Sequence, residues 1–394
     1  MAGPLVGLRV LDLTRVLAGP YTTMLLADMG AEVVKVEEPG VGDEARNFGP
    51  FVKGVSTYFM SINRGKKGLT LNLKSPAGKR LFLDLVKQAD VLVENFRPGV
   101  MQKLGLGYAA LRAQHPQLVY AACSGFGQTG PYAHRPAYDM VVQGMGGIMS
   151  ITGEPGRPPV RVGTSIGDIG GALFTTIGIL AAICHARATG EGQLVDVGML
   201  DGQVAMLENA IVRAMLTGEA PKALGTRHPS IAPFEAFPAS DGTVILAVGQ
   251  KQWERFCQAL GLSELVADPR FVDNAKRSEH VEELVKILSA VTRTKPVDTW
   301  VREMDAIGIP CGPVNSVDRV VRDPHVLARE MLVEVKDPQA GPVTVAGFPI
   351  KLSLTPGSLQ GPAPRLGEHT EAVLADWLRL TPEAVARLRQ EGAV

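Results

Sequence analysis

No charge of one sign dominates this chain. Lysine and arginine together number 40, aspartate and glutamate also number 40, and the formal net charge at pH 7 is zero. A chain without a global field gives no reason to expect nucleic acid or a membrane surface as a partner. Any preference for an anionic ligand must therefore come from a local arrangement of cationic side chains.

Cysteine is also scarce, and its spacing does not suggest a cross-linked or metal-bound protein. The four cysteines form no C-x-x-C pair: Cys123, Cys184, Cys257 and Cys311. This pattern predicts reduced thiols in the cytoplasm and argues against a disulfide framework or a zinc site. The histidines show no metal-ligand spacing, so we expect no bound metal. Because Met1–Pro4 leads straight into an apolar segment, we expect no signal or transit peptide.

Long apolar runs are missing, with one exception. Gly170–Ala186 is 17 residues long, at the short limit for crossing a bilayer, and it contains glycine, threonine and histidine. We therefore expect a helix in the protein core or at a subunit interface, and no membrane span.

The N-terminal part of the sequence alternates strands and helices. The expected strands are Leu8–Leu13, Glu32–Val36, Leu69–Leu73, Val91–Val93 and Leu118–Ala122. The expected helices between them are Pro20–Met29, Pro76–Gln88 and Tyr108–Gln114. Continuous apolar strands that alternate with helices predict an α/β fold with a doubly wound parallel sheet. Ligands of such sheets bind beyond the carboxyl ends of the strands.

A smaller region of mixed strands and helices follows from about Lys222. Its expected elements are a strand at Gly242–Val248 and helices at Trp253–Leu260 and His280–Val291. The C-terminal part contains the remaining expected elements: short strands near Leu332–Val335 and Val343–Ala346, then helices near Glu371–Leu380 and Pro382–Gln390, the last one capped by Thr381. We therefore expect a large and a small domain.

Cationic residues stand at or just beyond the ends of four of the five expected strands. They are Arg15, Lys35, Lys74 and Arg97. Because the carboxyl ends of parallel strands meet at one edge of a sheet, this pattern predicts an anionic, phosphorylated ligand there. Lysine and arginine are also common in surface loops, so a purely solvated role stays open at this point.

Gly125–Gly130 has the spacing G-x-G-x-x-G after an expected strand. A dinucleotide-binding fingerprint needs a helix to begin at that point. Here Pro131 follows instead, and the loop continues to Pro136. The pattern therefore does not predict a nicotinamide site, and we expect these glycines to let the backbone approach another ligand.

Asp168 is the one formal charge between Arg161 and Arg187, and it lies within the glycine-rich segment Gly167–Gly171. An ionised carboxylate is costly to bury without hydrogen bonds, and glycines leave room for a ligand. The residue is either a cap for the apolar helix that follows or a nucleophile. In both interpretations Asp168 lies at the start of a helix, and the helix dipole is expected to keep its carboxylate ionised. Asp139, beside a second apolar stretch, is also expected to cap a helix.

Six segments, in order along nearly the whole chain, resemble the class III CoA-transferases. They are Arg15–Pro20, Val36–Gly40, Glu94–Gly99, Gly167–Gly171, Gly308–Val314 and Leu366–Thr370. Ser230–Phe237 and Gly125–Pro131 are also similar to segments of the family members that exchange CoA between succinyl-CoA and glutarate. Agreement with one family in six separate segments is very unlikely to arise by chance.

The resemblance implies a fold and an assembly. Each subunit is expected to have a Rossmann-like large domain and a small α+β domain, and two subunits are expected to interlock as a homodimer. The expected boundaries are residues 1–200 for the first part of the large, CoA-binding domain, 201–221 for a linker, 222–300 for the small domain and 301–394 for a second linker and the return to the large domain.

The resemblance also implies that Asp168 is the catalytic aspartate. Its carboxylate would attack an acyl-CoA thioester to give a mixed anhydride and free CoA thiolate. The thiolate would then attack the aspartyl carbonyl to give an enzyme–CoA thioester, and the acceptor acid would reverse these steps. CoA is thus expected as a substrate, and no tightly bound cofactor is expected.

The resemblance places a set of residues at the CoA site: Val16, Ala18, Leu71, Asn72, Lys74, Asn95, Phe96, Arg97, Lys103 and Tyr138. Two positions depart from formyl-CoA transferase, another member of the family. Leu17 replaces a glutamine close to the reacting acyl group, which argues against formyl-CoA and oxalate as substrates. Glu38 replaces an arginine near the nucleotide, and Lys35 or Arg97 is expected to compensate.

The identities of the CoA donor and of the acceptor acid are implied by the resemblance alone. Succinyl-CoA is the expected donor, and a dicarboxylate such as glutarate is the expected acceptor. Arg46, Arg227 and His228 are candidates to bind the distal carboxylate, with a surface role equally open. An α-methylacyl-CoA racemase and a non-catalytic CoA-binding protein are the alternatives. Tyr138 stands where the racemase has its histidine, and a tyrosine is a poor base near neutral pH.

Overall fold

The computed structural model describes residues 3–394 of the chain. The chain forms two compact units. The first comprises the chain up to Met149 together with Arg161–Glu219 and His325–Val394, and the second comprises Ser150–Val160 and Ala220–Pro324. The expected small domain, residues 222–300, falls within the second unit.

The elements of the first unit run in chain order as follows. Its strands are β1 Arg9–Asp12, β2 Glu32–Glu37, β3 Phe51–Val52, β4 Val55–Ser56, β5 Lys67–Thr70, β6 Val91–Glu94, β7 Val119–Ser124 and β8 Leu194–Gly198. Its helices up to residue 219 are α1 Ala18–Asp28, α2 Thr57–Asn63, α3 Pro76–Val86, α4 Val100–Lys103, α5 Tyr108–Gln114, α6 Asp139–Met145, α7 Ile166–Thr189, α8 Met199–Met206 and α9 Asn209–Thr217.

The remaining elements belong to the second unit and the C-terminal part. The second unit contains β9 Phe234–Pro238, β10 Thr243–Ala247, β11 Cys311–Pro313, α10 Trp253–Leu260, α11 Asn274–Glu279, α12 Val281–Thr292, α13 Val297–Ala306 and α14 Val317–Val320. The C-terminal part contains α15 Pro324–Ala328, β12 Leu332–Asp337, β13 Gly341–Ala346, α16 Thr370–Leu378 and α17 Pro382–Gln390.

The first unit is built on a six-stranded sheet in the order β5-β2-β1-β6-β7-β8. Every neighbouring pair is parallel, which confirms the parallel sheet predicted from the sequence. The chain runs outward from β1 to β5 on one side and from β6 to β8 on the other. The order therefore reverses between β1 and β6, and the crevice beyond their carboxyl ends is where such sheets bind ligands.

Side chains that alternate along the strands place a core on each face of this sheet. On one face, Val10 and Val33 pack with residues of α1 and α7. On the other face, Leu11 and Val34 pack with α3 and with Trp377 of α16. Both faces are covered, so the strands read as continuous apolar runs in the sequence.

Two strands of the parallel sheet depart most clearly from the sequence expectation. The third predicted strand, Leu69–Leu73, lies earlier, at Lys67–Thr70, because the chain leaves the sheet after Leu71 and turns at Leu73–Lys74 before α3. The sixth strand, Leu194–Gly198, was not predicted, because Asp196 interrupts its apolar pattern. Without this strand, β7 would be the edge strand of the sheet.

Helix α7 is longer than the predicted Gly170–Ala186. By length and composition alone it could cross a membrane, and less than half of its most apolar window is buried in this subunit. Its buried side packs on α1, α8, β7 and β8, so it serves as a helix of the core. Leu173, Phe174 and Ile177 lie on its exposed side.

The second unit has its own sheet and core. Strands β11, β10 and β9 form an antiparallel sheet in that order. Phe237, Trp253, Phe256 and Trp300 are almost completely buried between this sheet and its helices. A separate aromatic core is the physical reason that these residues form a distinct unit.

Candidate active site

Two cavities lie at the carboxyl ends of the strands in the first unit. The Asp168 cavity has a volume of about 290 Å³, and its wall is formed by Arg15–Ala18, Glu44, Asn95–Pro98, Cys123–Gly125, Arg135–Tyr138, Asp168 and Met199. The outer cavity has a volume of about 340 Å³, and its wall is formed by Leu13, Arg15, Val36–Glu38, Leu71–Lys74, Phe96, Val100, Lys103 and Leu104. Arg15 and Phe96 line both, so the two cavities meet at the switch point between β1 and β6.

The loop after β1 is fixed by the loop after β6. Asn95 accepts a hydrogen bond from the Arg15 backbone N–H at 2.8 Å and donates one to the Arg15 carbonyl at 2.8 Å. The Arg15 guanidinium lies over the Phe96 ring, 5.2 Å from its centroid. Glu94 accepts the Phe96 N–H at 2.7 Å. The segment Glu94–Phe96 therefore holds the border between the two cavities in one conformation.

Val16 has a left-handed backbone with φ of +65°, which is rare for a β-branched residue. Its N–H donates to Asp43 Oδ1 at 3.2 Å. The next residues, Leu17 and Ala18, are buried in the wall of the Asp168 cavity, where α1 begins without a side-chain cap. Strain of this kind persists where surrounding contacts impose it, and it is often found at functional sites.

A buried network of charged side chains supports the loop after β1. Lys35 is completely buried, pairs with Asp43 at 2.9 Å and donates to the Thr14 carbonyl at 2.8 Å. Its partners hold the Lys35 pKa above the usual value in spite of burial. Asp12 accepts from Lys66 at 2.9 Å in the same network. The sequence expectation that Lys35 contacts a phosphate is therefore wrong, because its ammonium group is enclosed and already neutralised.

Other cations at this edge are accessible. Arg15, Arg97 and Lys103 are exposed, and none of them takes part in an ion pair with any residue of the described chain, 3–394. Lys74 is also exposed but pairs with Glu38 at 2.7 Å. The cavity walls thus carry these three uncompensated cations, together with the exposed Arg135 and Glu44, which also form no ion pair in the described chain, although the whole chain has no net charge.

Asp168 lies in the first turn of α7 and does not cap it. The helix begins after Ser165, whose side chain makes no capping hydrogen bond. Instead Asp139, in the first turn of α6, accepts the Gly167 N–H at 2.8 Å through Oδ1 and the Gln143 amide at 2.8 Å through Oδ2. The capping role that the sequence offered to Asp168 is thus filled by Asp139, from a neighbouring helix.

The Asp168 carboxylate has no hydrogen-bond donor among residues 3–394 and is half-buried. Burial, and then the nearby charge of Asp139, raise the pKa of Asp168 from its ordinary 3.8 to about 7. The expectation that the helix start keeps this carboxyl firmly ionised is therefore wrong. Desolvation and a like charge outweigh the helix dipole, so the group is about half ionised at neutral pH.

The glycines around Asp168 serve packing rather than ligand space. A Cβ atom on Gly167 would lie 2.6 Å from Val142 Cγ2, and one on Gly170 would lie 2.5 Å from Met206 Cε. A Cβ on Gly171 would lie 3.0 Å from Met199 Cγ. The glycines let α6 and α8 pack directly on the first turns of α7, and this contact sets the position of Asp168.

The other predicted site residues divide into three groups. Val16, Leu17, Ala18, Asn95, Phe96, Arg97 and Tyr138 line the Asp168 cavity, and Tyr138 is 70% exposed. Leu71, Asn72, Lys74, Phe96 and Lys103 line the outer cavity. Arg46, Arg227 and His228 line neither of them.

Arg46 is not free to bind a carboxylate. Its guanidinium donates to both Glu37 oxygens, at 2.8 and 2.6 Å, and lies 3.8 Å from the centroid of the Phe59 ring. Arg227 belongs to the second unit, where Glu235 and Glu282 accept from it at 3.2 and 2.8 Å. His228 stacks on Phe234 in that unit. Within this subunit, both arginines are thus neutralised by carboxylates of the protein.

Two residues that act on the site had no signal in the sequence. Tyr58 is one: burial, then the charges of Asp168 and Asp43, raise its pKa to about 12, so its phenol stays protonated near Asp168. Asp43, which holds Val16, is another. Each comes from a loop or short helix remote in sequence from the groups it supports, so no local pattern reports it.

The segment Gly125–Gly130 has a structural role in the loop after β7. Gly127 has a φ of +78°, and this turn lets the Gln128 N–H donate to the Asp196 carboxylate at 3.0 Å. The loop is thereby fixed to β8. No group of three or more histidine, cysteine, aspartate or glutamate residues is arranged to hold a metal ion in the described part of the chain.

Comparison with known proteins gives a consistent result. A model of CoA-transferase family III matches residues 5–370. The chain is 42% identical to the acetyl-CoA:oxalate CoA-transferase of Acetobacter aceti, over 97% of both chains. It is 41% identical to the succinate–glutarate CoA-transferase of Agrobacterium fabrum, over 95% of both. The crystal structure of a CAIB/BAIF family protein from Brucella suis is 39% identical, with a TM-score of 0.85 over 96% of this chain and all of that one.

Proposed function

The chain belongs to CoA-transferase family III, and from that premise we propose that it moves CoA from succinyl-CoA to a dicarboxylate such as glutarate, with Asp168 as the nucleophile. As a CoA-transferase, it uses CoA thioesters and free carboxylic acids as substrates. The observation that carries the proposal for Asp168 is its setting. It is a half-buried carboxylate without a hydrogen-bond donor in the described chain, on the wall of a cavity that opens at the switch point of the sheet.

The two cavities divide the CoA molecule between them. The outer cavity has apolar walls from Leu71, Leu73 and Leu104, which suit the flat face of the adenine. The exposed guanidinium groups of Arg15 and Arg97 and the Lys103 ammonium group would neutralise the phosphates. The pantetheine arm would pass between Arg15 and Phe96 into the Asp168 cavity, where the thioester reacts.

The reaction then proceeds by four exchanges at carbonyl carbons. An Asp168 oxygen attacks the thioester carbonyl, the C–S bond breaks, and an anhydride and CoA thiolate form. The thiolate attacks Cγ of Asp168, the anhydride C–O bond breaks, and succinate leaves. The carboxylate of the acceptor attacks Cγ and releases the thiolate. The thiolate finally attacks the acceptor carbonyl of the new anhydride, which restores Asp168 and gives the new acyl-CoA.

The raised pKa of Asp168 fits this chemistry. No step transfers a proton, so the reactive form is the ionised one. A carboxylate that lacks donors and lies beside Asp139 is poorly stabilised, and attack on the thioester relieves its charge. An anhydride hydrolyses readily, so the enclosed wall of Leu17, Ala18 and Met199 has the further role of keeping water away.

The identity of the acids is supported by relatives. The Agrobacterium protein is named for succinate and glutarate, and the A. aceti protein is named for acetyl-CoA and oxalate. Oxalate with acetyl-CoA is therefore the second candidate pair. The buried apolar side chain of Leu17 at the cavity favours the longer, more apolar dicarboxylate over oxalate.

The working assembly proposed here is an interlocked homodimer in the cytoplasm. The first unit leaves a set of large apolar side chains exposed on α7 and α9: Leu173, Phe174, Ile177, Ile211, Val212, Met215 and Leu216. Each of these two helices exposes several neighbouring apolar side chains, which soluble proteins seldom leave in water, so a second subunit would cover them. Sedimentation should give the mass of a dimer, and a monomer at micromolar concentration would contradict the proposal.

Asp168→Ala tests the nucleophile. It should abolish formation of glutaryl-CoA from succinyl-CoA and glutarate, measured by chromatography, while CoA binding measured by calorimetry is retained. Asp298→Ala is the control, because Asp298 is an exposed acid in the first turn of α13. Wild-type protein incubated with succinyl-CoA should carry a hydroxylamine-sensitive adduct on Asp168, found by mass spectrometry of the peptide.

The outcomes separate the alternatives. Full transfer by Asp168→Ala would remove the nucleophile. Deuterium exchange at the α carbon of an acyl-CoA, without an acceptor acid, would support racemase chemistry instead. A panel of acyl-CoA donors and short mono- and dicarboxylic acids, with oxalate included, identifies the preferred pair by kcat/KM.

A further inference from the structure

One carboxylate oxygen holds two parts of the wall of the Asp168 cavity. Asp43 Oδ1 accepts the Val16 N–H at 3.2 Å and the Ala45 N–H at 3.0 Å. The first bond holds the start of the wall segment Val16–Ala18, and the second begins a short 3₁₀ turn in which Glu44 also lines the cavity. Val16 and Asp43 are 27 residues apart, so this contact joins two loops that the sequence separates.

The Asp43 side chain is enclosed and fixed. It is 1% exposed, and its Oδ2 lies 2.9 Å from the ammonium group of Lys35. Burial acts to raise the pKa of Asp43, but the charge of Lys35, with the two backbone hydrogen bonds, holds it below its ordinary value. The carboxylate is therefore ionised at neutral pH, and an ionised acceptor makes strong hydrogen bonds to backbone N–H groups. Asp43 lines neither cavity, so it acts on the site through the residues that it holds.

Val16 does not favour the conformation in which it is held. Five non-glycine residues in the described chain, 3–394, have a positive φ, and Val16, at +65°, is the β-branched one. Branching at Cβ makes the left-handed region costly, so such a residue keeps this conformation only where contacts impose it. Without the bond to Asp43, Val16 would relax toward a negative φ, and the next residues, Leu17 and Ala18, would leave their places in the cavity wall.

We propose that Asp43 is a positioning residue of the transfer reaction. It holds Val16 in the left-handed conformation, and so keeps Val16–Ala18 and Glu44 in the wall of the cavity where the thioester reacts. This role rests on the proposed covalent chemistry of Asp168 and adds to it a residue that does not touch the substrate. No bond forms or breaks at Asp43, and no proton moves there. Its contribution is to fix the shape of the cavity before the thioester enters.

A double-mutant cycle with Val16 tests this role. Asp43→Ala removes the acceptor and should lower kcat about 100-fold, because a small displacement of the groups around a reacting atom can cost that much. Single-turnover formation of the hydroxylamine-sensitive Asp168 adduct should slow with kcat. The dissociation constant of CoA, measured by calorimetry, should stay within about threefold, since no side chain of the outer cavity bonds to the Asp43 carboxylate.

Val16→Gly removes the need for the contact. Glycine populates positive φ about as readily as negative φ, so the loop keeps its course in a large fraction of the molecules without Asp43. In the Val16→Gly background, Asp43→Ala should therefore lower kcat by no more than about threefold. The ratio of the two effects, about 30-fold, is the coupling that the positioning role predicts. A purely structural role of Asp43 would give the same loss in both backgrounds.

The buried Lys35 needs its own control, because Asp43→Ala leaves its charge without this partner. The cycle is therefore repeated in a Lys35→Met protein, where Asp43→Ala leaves no unpaired ion of this pair in the interior. The same coupling of about 30-fold is expected there, so the test does not depend on whether Asp43→Ala folds by itself.

Asp28→Ala is the matched control for the loss of a buried ion pair. Asp28 is also completely buried, pairs with Arg64 at 2.7 Å and lines neither cavity. Its replacement should lower the thermal midpoint and leave kcat within about threefold of the wild-type value, because it breaks a buried pair away from the site.

The outcomes separate a positioning role from the alternatives. The proposal is overturned if Asp43→Ala keeps more than about a third of the wild-type kcat, or if it loses as much activity in the Val16→Gly background as in the wild type. It is also overturned if Asp28→Ala loses kcat to the same extent, since lower stability would then explain the effect. If Asp43→Ala forms the Asp168 adduct at the wild-type rate, Asp43 has no positioning role and the nucleophile stands. If the wild-type protein forms no adduct on Asp168, the proposed function fails instead.

Discussion

Asp168 is expected to destabilise the folded protein at neutral pH, and Asp168→Asn should reveal by how much. The pKa rises from its ordinary 3.8 to about 7, close to three units. At about 1.36 kcal/mol for each unit, the ionised carboxylate costs roughly 4 kcal/mol, and partial exposure to solvent reduces this to about 2–4 kcal/mol. The neutral amide avoids that cost, so the variant should be more stable and inactive.

The sign of the pH dependence follows from the same shift. The folded-state pKa lies above the unfolded value, so ionisation of Asp168 favours unfolding. The cost is absent well below pH 3.8, grows as pH rises, and is complete above about pH 7. About half of it should be present near pH 5.4, midway between the two values. The stabilisation by Asp168→Asn should therefore be largest at pH 8.

Differential scanning calorimetry is the assay. With an unfolding entropy of about 2.1 cal/mol/K per residue, a chain of 394 residues should gain roughly 2 to 5 °C in Tm at pH 8 and about half as much at pH 5.4. Asp298→Asn is the matched control, because that exposed helix-start acid should instead lose a few tenths of a kcal/mol. An Asp168→Asn protein that is less stable at pH 8, or equally stabilised at both pH values, would refute the reasoning.

Asp139→Asn removes the charge that, after burial, raises the pKa of Asp168, so the acidic limb of the pH–kcat/KM profile should move to lower pH; an unmoved limb would contradict this. Gly167→Ala puts a methyl group 2.6 Å from a side-chain carbon of α6, and this overpacking should cost about 1–3 kcal/mol in thermal unfolding together with most of the transfer rate. Arg97→Gln should weaken CoA binding in calorimetry without loss of stability. Lys35→Met should instead keep CoA binding and lower the unfolding free energy by about 3–5 kcal/mol, because the buried Asp43 carboxylate loses its counter-ion.

Regular periodicity made the fold predictable. Tyr108–Gln114 and Trp253–Leu260 have the predicted bounds, and Thr381 caps α17 as expected, accepting from the Ala384 N–H. The parallel order of the sheet followed from apolar strands that alternate with helices. The sixth strand escaped prediction because five residues with a central aspartate carry too little pattern.

The site was predictable at the level of residue position. The ends of β1 and β6 and the start of α7 do line one cavity, as their places at strand ends and a helix start suggested. Arg15 and Arg97 are exposed at that cavity, and the charge of Asp168 interacts with Tyr58 in the same unit. These groups are close because a doubly wound sheet brings its carboxyl ends together.

The sequence by itself determined the class of fold, the family and the isolated charge at Asp168. Only the tertiary structure decided what each charge does. Lys35 is enclosed by Asp43, and Asp139, from another helix, accepts the bond that Asp168 was expected to make. Ser124 is left unpaired by the same packing. The physical reason is that pKa and hydrogen bonding depend on the groups that folding brings near a side chain, and these lie far away along the chain.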